Sequence, residues 1–224
     1  LAKLIMIDYW RLQNFNEYIG INRIIIWPET SFEGTIPNEM ELLSVISKRT
    51  LTDQKAILVV GLLRVDKNKL FNSLVFLNSK GNIIHQYDKI HLVPFGEYIP
   101  LRNKFTTIAN FLSLKDFSSG NIKPNFTLKG FGNILTLICY EILFTEEVIS
   151  RLSKNTNLLI NITNDAWFGK TIGPYQHLAL AKIKAVELGI PLARVANTGI
   201  SALISPYGEE ITKIPLYESG VRTA

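Results

Sequence analysis

Short, nearly uninterrupted apolar runs punctuate this sequence, and they arrive in clusters rather than singly. "RIIIW" (residues 23–27) stops at Pro28. "AILVVGLLRV", "LFNSLVFLN" and "IIHQYDK" then follow one another across the polar turns "DKNK" and "SKGN". "FTLKGFGNILTLIC" reads as two strands about a Gly-rich turn. "NLLINIT" (157–163), "LARVAN" and "ISALISP" come next, with one more strand after the "YGEE" turn. Runs of this length between turn residues are strands, and those without alternation are strands buried on both faces.

Helical stretches separate the clusters. Leu1, Leu4, Ile5, Leu12, Phe15 and Ile19 fit one helix face at the start of the chain. Asn38 is placed to cap a helix over 39–50 and Thr145 one over 146–154. A third helix over 174–188 ends at Gly189 and Pro191. A long loop region over 88–120 holds one short helical candidate. Strand pairs alternating with helices fit two sheets packed together with helices outside. The expected architecture is α/β, a four-layer α-β-β-α sandwich. No internal boundary is visible across residues 1–224, so a single domain is expected.

The bulk numbers exclude several classes. The longest apolar stretch, at 56–63, falls far short of the roughly 20 residues a membrane helix needs. A net charge of +5 is spread along the chain without an aromatic-interleaved basic stripe, which argues against a nucleic-acid partner. One cysteine cannot form an internal disulfide. Three histidines and that cysteine offer no zinc-ligand spacing.

Three stretches put ionisable groups at or near the carboxyl ends of strands, where clefts form in open sheets. "IIIWPETSF" presents Glu29, "YDKIHLVPFGEYIP" presents Lys89 and Glu97, and "LICYE" presents Cys139 and Glu141. Taken singly, each has a structural reading: Cys139 a core filler, Lys89 a surface charge, Glu29 a turn residue. Together they form a kit for acyl transfer. A carboxylate takes the thiol proton, and an ammonium stabilises the thiolate and then the oxyanion of a tetrahedral intermediate. Glu97 would hold the lysine in place. A Cys–His dyad is the rival design, with His91 the better candidate base and His177 a structural histidine in a helix.

These stretches resemble those of the carbon–nitrogen hydrolase (nitrilase) superfamily, whose members carry a Glu–Lys–Cys triad on an α-β-β-α sandwich. Over about residues 9–214, "WPETSF", "YDKIHLVPFGEYIP", "CYE" and "LINITNDAWFG…PYQHLALAKIKAVELGIPLARVANTGISALISPYG" are similar in detail to the catalytic domain of the apolipoprotein N-acyltransferase family. The resemblance implies Glu29 as general base, Lys89 as the oxyanion-side cation and Cys139 as nucleophile. It makes Glu97 and Glu141 supporting carboxylates, and Tyr140 and Trp167 pocket walls. It further implies a phospholipid acyl donor, a thioester intermediate and a diacylglyceryl-lipoprotein acceptor, with no metal or organic cofactor needed. The implied location is the periplasmic face of a bacterial inner membrane.

Members of that family carry membrane helices on both sides of this domain, and their domain opens with a strand. The expectation here is a chain that starts beyond that strand. Apolar residues near the three stretches are expected either to form arms able to touch a membrane surface or to cover the core or a dimer interface. These are Phe105, Ile108, Phe111, Leu112, Leu114 and Phe117 in 101–120, and Phe32, Ile36, Trp167, Phe168 and Ile172 elsewhere. Phe105 and Phe111 are the candidate lipid contacts among them. Two rival functions remain open: a soluble amidase using the same triad, and an inactive domain that only binds lipid or a partner.

Overall fold

A computed structural model describes residues 2–7, 20–51, 53–100, 116–121 and 125–223. The first sheet has the order β13-β1-β2-β4-β5-β6. Its strands are β1 (Ala2–Ile7), β2 (Asn22–Ile26), β4 (Ala56–Asp66), β5 (Lys69–Asn78), β6 (Ile83–Asp88) and β13 (Val221–Thr223), with the short β3 (Thr35–Ile36) paired to β4. The second sheet runs β12-β11-β10-β9-β8-β7. It is built from β7 (Asn125–Leu128), β8 (Gly132–Ile138), β9 (Thr156–Asn164), β10 (Leu192–Asn197), β11 (Ser201–Ile204) and β12 (Glu210–Ile214). Each sheet joins three parallel strands to an antiparallel meander: β1, β2 and β4 in one, β8, β9 and β10 in the other.

The pleat sorts the apolar runs into separate layers. Ile24, Ile26, Val59, Leu74, Phe76, Ile134, Ile138, Ile160 and Ile162 fill the space between the sheets. Their neighbours Ile25, Trp27, Leu58, Val60, Val75 and Leu77 point outward and pack with Leu43 of α1 (Met40–Thr50). On the far side Leu135, Leu137 and Leu159 meet Val148 of α2 (Thr145–Arg151) and Leu178, Ala181 and Ala185 of α3 (Gly173–Leu188). Both faces of both sheets are therefore buried, which is why these strands lack polar alternation. Each such large side chain contributes about 1.5–3 kcal/mol. The four-layer sandwich expected from the sequence is the architecture seen.

The chain's start differs from expectation. Residues 2–7 form β1, parallel to β2 in the register Leu4↔Ile24, and not the first turns of a helix. The run "LIMI" satisfies a buried strand as well as a helix face, and pairing with β2 and β13 decides between them. The expected absence of an opening strand falls with it. Leu12, Phe15 and Ile19 lie outside the described residues.

Two caps also differ. Glu39, not Asn38, occupies the N-cap of α1, and its Oε2 turns back to the Thr35 N–H (2.7 Å). Thr145 begins α2 without capping it, and its hydroxyl meets the Lys184 ammonium instead.

Candidate active site

Glu29 follows β2 in a turn held tightly on the neighbouring strand. The Phe32 N–H and the Ser31 hydroxyl both donate to the carbonyl of Gly61 in β4. A Cβ on Gly61 would lie 2.5 Å from the Pro28 carbonyl oxygen and 2.7 Å from Glu29 Cα, so only glycine allows this approach. Lys89 leaves the end of β6 with its N–H on the Asn72 carbonyl and its own carbonyl accepting from Gly120. Cys139 follows β8 in the left-handed region (φ 56°) and opens a short 3-10 turn, Cys139–Leu143. Holding a non-glycine residue there costs about 1–2 kcal/mol. The Asn161 amide donates to the Cys139 carbonyl (3.0 Å), and the Thr163 hydroxyl and Asn164 backbone face its sulfur.

These three residues, at least 50 positions apart in the chain and drawn from both sheets, line one enclosed cavity of about 280 Å³. Glu97, Tyr140, Asn164, Trp167, Phe168 and His177 complete most of its wall. Lys89 is 1% exposed, with Nζ 2.8 Å from Glu97 Oε1 and 3.9 Å from Glu29 Oε1. The Asn72 amide donates to both carboxylates, at 2.6 Å to Glu29 and 3.0 Å to Glu97. Glu29 Oε2 has no hydrogen-bond partner among the described residues and is free to take a proton. The Lys89 ammonium also lies 5.3 Å from the centroid of the Tyr140 ring.

The electrostatics favour proton exchange over a standing thiolate. Burial, reinforced by the charge of Glu29, pushes the Cys139 thiol up to about 12. Burial also raises Glu29 above the ordinary carboxylate range, against the pull of Lys89 and Asn72. For Lys89 burial acts downward, but Glu29, Cys139 and Glu97 outweigh it and keep the ammonium protonated. Ionising the thiol alone would add a negative charge beside Glu29. Passing its proton to Glu29 leaves the summed charge unchanged, and Lys89 is in place to stabilise the sulfur as the proton leaves.

Glu141 is elsewhere. It is fully buried outside the cavity and accepts from the Tyr87 hydroxyl (2.7 Å) and the N–H groups of Ile90 (2.9 Å), His91 (3.1 Å) and Ile138 (2.8 Å). It thereby ties the segment after Lys89 to the turn that carries Cys139. His91, the rival base, pairs with Glu147 (2.7 Å) and stacks on Phe144. It lines an open groove of about 800 Å³ instead, together with Tyr98, Asp116 and Arg151. A Cys–His91 dyad has no geometric support, because Glu147 and Phe144 hold the ring away from the cavity.

Behind the sulfur lies a network that sequence reasoning missed. Arg194, in β10, donates to Asn161 Oδ1 (2.8 Å) and Asp165 Oδ2 (2.8 Å), and Asp165 Oδ1 meets His177 Nδ1 (2.9 Å). Asn72 was missed as well. The available signal was a polar or charged residue inside an otherwise apolar strand, where it must be paired if buried.

The expected apolar arms divide. Phe32 and Ile36 are buried in the outer core of the first sheet and form no arm. Trp167 (76% exposed) and Ile172 (66%) stand open with Phe168 at or near the cavity, as does Phe95 (69%) on the turn before Glu97. Phe105, Phe111 and the rest of 101–115 lie outside the described residues. Among the described residues no helix is long and apolar enough to cross a membrane, and no group of three or more His, Cys, Asp or Glu side chains suits a metal ion.

Residues 23–224 match the family model for carbon-nitrogen hydrolase. The chain belongs to this family. Its fold is shared with solved family structures of low identity. Nit3 of Saccharomyces cerevisiae, a nitrilase-superfamily member, superposes with a TM-score of 0.71 at 16% identity, covering 100% of this chain and 89% of that one. A carbon-nitrogen hydrolase from Helicobacter pylori G27 gives 0.72 at 14%, covering 100% and 88%.

Sequence likeness is greater to another group. The apolipoprotein N-acyltransferase of Rhizobium etli (strain CIAT 652) is 42% identical over 206 residues, 88% of this chain and 38% of that protein. That of Vibrio cholerae serotype O1 is 34% identical over 213 residues, covering 90% and 41%. The chain thus spans well under half the length of these relatives.

Proposed function

We propose that this carbon-nitrogen hydrolase domain is the catalytic part of an apolipoprotein N-acyltransferase. The observation that carries the reading is the convergence of Glu29, Lys89 and the chain's single thiol on one small cavity with an aromatic, open rim. The 42% identity to a protein of that name supports it.

Cys139 attacks the ester carbonyl of a phospholipid while Glu29 takes the thiol proton. Lys89 stabilises the oxyanion, and Glu97 and Asn72 hold Lys89 and Glu29 in register. Glu29 then protonates the leaving alcohol, releasing a lysophospholipid and leaving an acyl thioester. The α-amine of a diacylglyceryl-cysteine lipoprotein attacks next, and an amide forms. Trp167, Phe168, Ile172 and Phe95 rest against the membrane surface and, with Tyr140, screen the thioester from water, so that it outlasts the wait for a lipid-bound acceptor. The site of action is the periplasmic face of a bacterial inner membrane.

Incubation with phospholipid vesicles, followed by intact-mass measurement, tests the reading. The expected result is one acyl chain on Cys139, removed by hydroxylamine and discharged by a diacylglyceryl-cysteine peptide. Release of ammonia from a small amide with no acyl adduct from lipid would make the protein an amidase. Neither product would leave a lipid- or partner-binding domain.

A further inference from the structure

The acyl-transfer steps above leave the buried network behind Cys139 unused, and that network ends on the cavity wall. His177 is 3% exposed and lines the cavity. Its Nδ1 lies 2.9 Å from Asp165 Oδ1 and 3.1 Å from Arg194 Nη2. Lone pairs facing each other at 2.9 Å would repel, so Nδ1 carries the proton and donates it to Asp165. Arg194 Nη2 gives one of its two hydrogens to Asp165 Oδ2 at 2.8 Å, and the Thr163 hydroxyl reaches Asp165 Oδ1 at 3.3 Å.

Nε2, on the opposite edge of the ring, is then a hydrogen-bond acceptor. It is buried and has no partner among the described residues, and the Phe168 ring packs edge-to-face with the imidazole at 5.9 Å between centroids, so a donor reaches Nε2 only where the cavity wall gives way. Burial and the Arg194 charge lower the pKa of His177, which keeps the ring neutral and Nε2 an acceptor. An orphan acceptor in a catalytic cavity calls for a donor that arrives with a ligand.

We propose that His177 Nε2 binds the acyl-accepting primary amine in the second half-reaction; the assignment rests on the acyltransferase reading above. In the first half-reaction the attacking thiol has one proton, which goes to Glu29 and on to the leaving alcohol, so nothing is left for Nε2. A primary amine brings two hydrogens. As its nitrogen bonds to the acyl carbon and the carbon–sulfur bond breaks, one proton passes through Glu29 to the Cys139 sulfur. The other remains on the new amide nitrogen, held by His177 throughout. A secondary amine has no second hydrogen to offer, so the site selects primary amines.

Two variants separate this role from a structural one. H177N keeps an amide N–H near the place of Nδ1 for Asp165 and removes the cavity-facing acceptor. H177Q does the reverse. With the protein as its host makes it, in phospholipid vesicles, mass spectrometry follows the Cys139 thioester and its discharge to a diacylglyceryl-cysteine peptide and to the N-methyl form of that peptide. The wild type should prefer the primary amine at least about tenfold. H177N should build the thioester yet discharge it at least about tenfold more slowly, with the preference gone, while H177Q keeps part of both.

H177N discharging at the wild-type rate, or slowing both half-reactions equally with the preference intact, would overturn the assignment. If H177N does not fold, H177Q alone decides: acylation at the wild-type rate with part of the discharge rate and of the preference kept supports it, and loss of the preference, or slow acylation with the preference unchanged, refutes it. A wild type that forms no thioester would defeat the acyltransferase reading and this assignment with it.

Discussion

Glu97 and Glu141 both stand close in sequence to residues of the proposed acyl-transfer set, and both are buried, but they serve opposite ends. Glu97 comes from the first-sheet side and faces the cavity, where it shares Lys89 and Asn72 with Glu29. Glu141 comes from the second-sheet side, faces away, and satisfies a ring of donors from two segments. The same division runs through the whole site. The first sheet supplies charges held under tension: Glu29 is raised by burial and keeps one oxygen unpaired. The second sheet supplies a strained thiol seated on a polar network that is paired among the described residues except at Arg194 Nε and His177 Nε2. The first side carries the titrating carboxylate and the second the sulfur.

The sharpest break between the sides is expected in activity. C139A, E29Q and K89M should each lower acyl transfer by about 10³-fold or more, and E29Q/C139A should do no worse than C139A, because the proposed mechanism makes the three a unit. Additive losses in single-turnover assays would contradict a shared step.

Stability should separate the two glutamates. E141Q removes a buried carboxylate from several donors and from Arg151, and should cost about 3 kcal/mol in urea unfolding. E97Q should cost less than about 1 kcal/mol in the same unfolding while slowing turnover about tenfold or more. Equal stability losses would erase the distinction.

Acid and base should pull the two sides apart next. The folded pKa of Glu29 is raised above 4.5, so in the window above 4.5 the fold holds a proton that the unfolded chain has released, and stability falls as pH rises through it. Asp165 is lowered below 3.8 by His177 and Arg194 against the effect of burial. Its contribution is full above 3.8 and is lost as pH falls through the folded value. At pH 7, E29Q should therefore gain about 1 kcal/mol in thermal melts, a gain that vanishes near pH 4, whereas D165N should lose about 3 kcal/mol by leaving Arg194 underpaired. E29Q melting well below wild type at pH 7 would contradict this.

A further effect is expected at Gly61. G61A pushes a methyl group into the Pro28 carbonyl and should displace the Glu29 turn, costing about 1–3 kcal/mol and about tenfold in turnover. A silent G61A would mean that the turn has room to shift.

What the sequence revealed follows the same line. Glu29, Lys89 and Cys139 were legible because each follows a recognisable strand at the edge of a polar stretch, and the motif wording around them is specific. The layers were legible because runs such as "RIIIW" and "AILVVGLL" carry no polar alternation. Asn72, Asp165 and Arg194 were not, since their partners lie far along the chain, on other strands or on α3, and only the fold reveals which polar residue in an apolar strand is paired with which. The strand at 2–7 was misread because its apolar spacing suits two periods, and its pairing with β2 is long-range information.

The central claim is that Glu29 takes the proton of Cys139. Because the chain has one cysteine, alkylation by iodoacetamide reports on that sulfur alone. Measured across pH 6–9, the wild-type rate should exceed that of E29Q by at least about tenfold near neutrality, with the gap narrowing as pH rises. Equal rates for the two proteins at pH 7, with both folded, would contradict the account.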